Sequence, residues 1–130
     1  DHSQRPDTGF GWVELNQADR RLRLAFADCG VGFRTSLQRN PALAGRIADD
    51  AEALQIALTP RVSGSGPDRT NMPWGLHQLM QFADLLNGDL YMASGEALLV
   101  RKSAAGQRAN VLRAIANWQG SWIALDAPVV

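Results

Sequence analysis

The chain is poor in cysteine, in histidine and in net charge. Cys29 is its one cysteine, so no intramolecular disulfide can form. That fits a reducing compartment, and the expected location is cytoplasmic. The two histidines, His2 and His77, lie far apart, and no spacing of Cys, His, Asp and Glu suggests zinc. No metal-ligating residue is therefore expected. Thirteen Lys and Arg balance thirteen Asp and Glu. The basic excess that marks nucleic-acid binders is absent, and no nucleic-acid partner is expected. No apolar run approaches the ~20 residues that cross a bilayer, so no membrane segment is expected. The start, "DHSQRPDTGF", is polar, has no signal-peptide pattern and lacks an initiator Met. It reads as a piece of a longer protein.

What is there describes a globular chain. Hydrophobic content of 45% against 20% charged residues excludes disorder. At 130 residues the expectation is a single domain, 1–130, with a real core. Charge is uneven: Arg20, Arg21 and Arg23 cluster early, Arg101 and Lys102 late. These read as solvated strand edges that resist pairing.

"FGWVELN" (10–16) and "RLRLAFAD" (21–28) alternate apolar and polar residues around the turn "QADR". They predict a β-hairpin with Leu22, Leu24 and Phe26 on a buried face. "RTSLQRN" predicts a short helix started by Thr35 or Ser36 and stopped by Pro41. "DDAEALQIAL" (49–58) predicts a second, capped by Asp49 or Asp50, with acids in its first turn as the helix dipole favours. Residues 61–73, rich in Gly, Pro, Ser and Asp, read as a mobile loop. In "WGLHQLMQFADLLNG", Leu76, Leu79, Met80, Ala83 and Leu86 form an apolar stripe, and the glycine of "NG" is the expected left-handed stop. "DLYMAS", "ALLVRKS", "NVLRAIANW" and "SWIALDAPV" predict strands, with turns at Gly95, Ala104-Ala105-Gly106 and Gln119-Gly120. This order predicts an α+β, two-layer sandwich: a mixed, mostly antiparallel sheet covered on one face by helices.

"FADCGVGFRTSL" (26–37) carries the chemistry. Asp28 ends a strand and can accept from an amine. Gly30 and Gly32 let a flat ligand approach bare backbone. Such a carboxylate contact is worth roughly 1.5–3 kcal/mol where water is excluded. A purine edge suits the pattern, and so does an ordinary glycine turn after a strand. A Rossmann fingerprint fails, because Thr35 occupies the third glycine position and a hairpin precedes the motif. Cys29 reads as a small buried thiol, His77 as a surface or half-buried helix residue, and Trp118 and Trp122 as core or partner-facing.

"DCGVG" after a hairpin, a helical insert, a glycine-rich loop, "WGLHQLMQFADLLNGDLYMASG" and the closing "GSWIALDAPV" together resemble the GHKL superfamily. These are the histidine-kinase-like ATPases, a family that includes gyrase, a heat-shock chaperone and mismatch-repair ATPases. The resemblance runs from residue 10 onward. It implies a Bergerat-type ATP-binding fold, truncated at the N-terminus before "DHSQ", where the family's helix bearing the magnesium-binding asparagine and catalytic glutamate would end. It implies that Asp28, Gly30 and Gly32 contact adenine. It makes residues 61–73 a lid, with Arg69 and Trp74 near the nucleotide, and sets Gly75 and Leu76 at the end of the second glycine motif. ATP and Mg²⁺ are the implied cofactors of the intact protein. A signalling partner or phosphoacceptor is implied, and a homodimer is allowed. The implied function is the ATP-binding domain of a bacterial signalling histidine kinase or related ATPase, with no catalytic residue in this fragment. "NMPWGL" departs from the family's G-x-G-x-G-L: Asn71 and Pro73 stand where glycines are expected, and Pro73 has no N–H for a phosphate. The missing helix also belongs to the family's core, so an apolar surface should lie exposed. The alternative implied reading is a degenerate, non-hydrolysing module for protein–protein regulation.

Overall fold

The computed structural model describes residues 9–60, 75–103 and 108–129. The lid and the turn at Ala104–Gly106 lie outside them. Within them, four strands form one sheet in the order β1-β2-β4-β3, every pair antiparallel. The strands are β1 (Gly9–Asn16), β2 (Arg21–Asp28), β3 (Asp89–Arg101) and β4 (Asn110–Pro128). Three helices accompany them: α1 (Gly32–Gln38), α2 (Asp50–Ala57) and α3 (Gly75–Leu85). The chain is therefore α+β, and the described sheet is purely antiparallel rather than mixed.

The registers set the side chains in rows across the sheet. One row runs Val13, Leu24, Leu125, Leu90; the next runs Gly11, Phe26, Ile123, Met92. The helices pack on this face of β3 and β4, where Leu90, Met92, Leu125 and Ala127 are fully buried with Phe33, Leu37, Leu54 and Ala83. Toward β1 the rows become exposed: Val13, Leu15 and Phe26 face outward into solvent. The helix layer thus covers half the sheet, and of the hairpin face expected to be buried Leu24 packs half-buried against the core, Leu22 is half-buried and Phe26 is exposed. Phe10, Trp12, Val13, Leu15 and Phe26 leave that end of the sheet apolar and exposed.

On the other face, Glu14, Arg23, Asp126 and Asp89 form a charged row. Arg23 bridges Glu14 at 3.3 Å and Asp126 at 3.6 Å, and Arg21 bridges Asp126 at 2.6 Å. Of the basic residues expected at strand edges, Arg21 and Arg23 lie on the interior strand β2, where they link across neighbours, while Arg101 ends the edge strand β3.

Several local expectations shift for identifiable reasons. Each pair of predicted late strands is one long strand. Gly95 and Gly120 adopt φ of +60° and +96° inside β3 and β4, so they make bulges rather than turns. Helix α1 begins at Gly32, three residues before Thr35, with no side-chain cap at Val31. Helix α2 begins as expected: the Asp49 carboxylate accepts from Glu52 N–H at 2.8 Å. After α3 the left-handed residue is Asn87, φ +53°, not Gly88. Gly88 is needed for space, since a Cβ there would meet that of Ala127 at 2.7 Å.

Candidate functional site

Strand β2 ends at Asp28, half-buried, where the chain leaves the sheet for α1. Asp28 Oδ1 accepts the Gly30 N–H at 2.8 Å, which closes a tight Asx-type turn. The Gly30 carbonyl accepts from Gln119 Nε2 at 3.0 Å, tying that turn to β4. One carboxylate oxygen is thereby fixed by the backbone, which orients the other.

The register places Asp28 opposite Ser121 on β4, with Gly9 on its other side on β1 and Ser94 beyond Ser121 on β3. This row is polar, unlike the two behind it. Ser94 is satisfied: its Oγ donates to the Gly120 carbonyl at 2.7 Å and accepts the Phe33 N–H at 3.1 Å. Ser121 is not. Its Oγ is buried and has no hydrogen-bond partner among the described residues. Burying a hydroxyl without a partner costs roughly 1–3 kcal/mol.

Asp28 and Ser121 line one cavity of about 360 Å³ with Gly9, Gly11, Phe26 and Ile123. That volume falls in the ~300–1,000 Å³ range of small-molecule sites. Its lining combines apolar surface from Phe26 and Ile123, glycine backbone on β1, and the polar residues Asp28 and Ser121, whose hydroxyl is itself closed off from the hollow. The sequence marked Asp28. It gave no sign of Ser121, which joins the site only through β2–β4 pairing.

The remaining anticipated residues distribute differently. Gly30 is buried and shapes the Asp28 turn. Gly32, at φ +78°, is required by packing, because a Cβ there would meet Ser94 Oγ at 2.7 Å. It borders a separate polar hollow with Arg34, Thr35, Asn117 and Gln119, not the Asp28 cavity. Gly75 is exposed at the first position of α3, and Leu76 packs against the core. Neither lines the Asp28 cavity. Arg69 and Trp74 lie outside the described residues.

Cys29 is exposed, not buried as expected, because it occupies the turn that Asp28 closes. Trp118 is exposed, and Trp122 is half-buried on the face opposite the helices, so neither belongs to the core. His77 is half-buried. Its Nδ1 lies 3.0 Å from the Leu58 carbonyl, so that nitrogen carries the proton and joins α3 to the end of α2. Among the described residues no group of three or more His, Cys, Asp or Glu is placed to hold a metal ion, and none of the helices is long and apolar enough to cross a membrane. No protein-family model matches the chain, and no curated protein does.

Proposed function

We propose that the chain is a nucleotide-binding domain of the histidine-kinase-like ATPase type, holding the adenine ring of ATP in the Asp28 cavity. The observation that carries this reading is the cross-strand pair of Asp28 and Ser121. One is a carboxylate with an oriented oxygen, the other a buried hydroxyl without a partner, and both line a ring-sized hollow. An adenine edge offers an amino donor beside a ring-nitrogen acceptor. The carboxylate accepts from the amine, and a turn of the Ser121 side chain into the hollow lets its hydroxyl donate to the ring nitrogen. The residues present fit the base. Mg²⁺ and the triphosphate belong, in this reading, to the lid and to the helix that the family carries ahead of the hairpin. In this reading the domain serves phosphotransfer to a signalling partner.

A second reading has its own support. Pro73 offers no N–H to a phosphate, and glycines expected around it are absent. A module that keeps the sandwich and regulates a partner without hydrolysis follows from those residues.

Equilibrium titration with a fluorescent ATP analogue tests the first reading. Asn at position 28 can keep the Gly30 bond through its carbonyl, which turns its amino group toward the ligand's amine, donor against donor. Asp28→Asn should weaken binding ~10–100-fold, the equivalent of a lost charge-assisted hydrogen bond. Circular dichroism should stay unchanged. Absence of nucleotide binding by the unsubstituted protein would leave the regulatory reading in its place.

A further inference from the structure

We infer that the free edge of β1 is a self-association surface, through which two copies of this chain pair antiparallel and continue one sheet across a two-fold axis. Among the described residues β1 pairs with β2 alone, so its other row of N–H and C=O groups is open. An open row is a template for another strand unless the sequence obstructs it.

The two edges of this sheet are treated differently. Strand β3, at the far edge, is interrupted by a bulge between Ser94 and Ala97, exposes Glu96 there and ends in Arg101 followed by Lys102. Each device discourages pairing. Strand β1, "GFGWVELN", has none of them. Its eight residues keep an unbroken register, it holds no Pro, Lys or Arg, and its one charge, Glu14, is engaged by Arg23.

Both faces of this edge are apolar and open. Phe10 is 67% and Trp12 53% exposed on one side; Val13 is 63% and Leu15 58% exposed on the other. Edge pairing covers part of these side chains together with the strand backbone, an interface smaller than the ~800 Å² per partner of a standard complex, which suits a weak dimer. The formal net charge of +0 sets no general repulsion between copies.

The occupant is a second copy because the strand complements itself. Opposed residues must share a face, so the axis falls on a residue, not between two. Centred on Trp12, the pairing sets Val13 of one copy against Gly11 of the other, and Leu15 against Gly9. Each bulky aliphatic residue then meets a glycine, and the two indoles meet at the axis. The inference does not rest on the nucleotide reading, although Gly9 and Gly11 of β1 belong to both surfaces.

Sedimentation equilibrium over a range of concentrations tests it. The unsubstituted chain should show a reversible monomer–dimer equilibrium. Trp12→Lys places like charges at the axis and should raise the dimer dissociation constant at least about tenfold. Trp12→Thr, which keeps strand propensity, should raise it less. Phe26→Glu, on interior strand β2, should leave association unchanged. A monomer at every concentration would overturn the inference. So would association that survives Trp12→Lys but disappears in Phe26→Glu, because that contact would use the sheet face and not the edge.

Discussion

Ser94 and Ser121 face each other across β3 and β4, and they differ in what their hydroxyls do. Ser94 joins three elements: its own strand, the β4 bulge at Gly120 and the first turn of α1 at Phe33. Helix α1 has no side-chain cap from Val31, so this bond is part of what holds its start. Ser94→Ala removes both of these buried hydrogen bonds and should cost about 1–3 kcal/mol. Ser121 should behave in the opposite way. Its hydroxyl is buried without a partner among the described residues, so Ser121→Ala should leave stability unchanged or raise it slightly. The same substitution should weaken the ATP analogue. Chemical denaturation and nucleotide titration of both variants check the pair together. A Ser121→Ala protein that loses both stability and binding would point to a structural hydroxyl instead.

At the scale of elements, α3 is fastened to the sheet by charge as well as by its apolar stripe. Arg101 of β3 holds Asp84 in a two-pronged grip, Nε to Oδ1 at 2.9 Å and Nη2 to Oδ2 at 2.7 Å. Arg108 approaches the same carboxylate at 3.2 Å. The hydrogen bond from Arg101 is the main reason the Asp84 carboxyl sits below the usual range, with burial opposing it and both arginine charges assisting. A carboxyl lowered in the folded state favours folding above its unfolded value, near pH ~4. That contribution is lost as pH falls through the folded value. Acid should therefore loosen α3. Asp84→Asn should lower stability at neutral pH and flatten its decline below about pH 4, as followed by denaturant midpoints across pH. The elements most legible in the sequence were those specified by neighbours in the chain. Residues 21–28 alternate almost perfectly, and Asp49 caps α2 from one position away. Bulges were illegible, because a glycine inside a long strand looks like a glycine at a turn. Only the partner strand decides between them. The start of α1 was illegible for a related reason: the group that binds the Phe33 N–H comes from Ser94, far along the chain.

For the whole molecule, the sheet is one continuous surface with two kinds of support. The site lies at the junction: Asp28 on the uncovered side, Ser121 beneath the edge of the helix layer. Its carboxylate was legible from a local motif. Its hydroxyl was not, since the β2–β4 register creates the pairing. The same division governs stability. The row Val13, Leu24, Leu125, Leu90 passes from solvent to the core within four strands. Burial of an aliphatic side chain, and the cavity left when it is removed, decide the cost of truncation; strand propensity contributes only fractions of a kcal/mol. Leu90→Ala should then cost about 2–5 kcal/mol, since Leu90 is enclosed between sheet and helices. Val13→Ala, at the exposed end of the same row, should cost about 0.5 kcal/mol or less at concentrations where the chain is monomeric. Raising the concentration into the dimer range should widen the Val13→Ala difference and leave that of Leu90→Ala unchanged, because only the edge residue gains burial from a second copy. Denaturant unfolding of both variants at two protein concentrations separates the two contributions. A Val13→Ala cost as large as that of Leu90→Ala in the monomer would mean that the β1–β2 face is covered in solution.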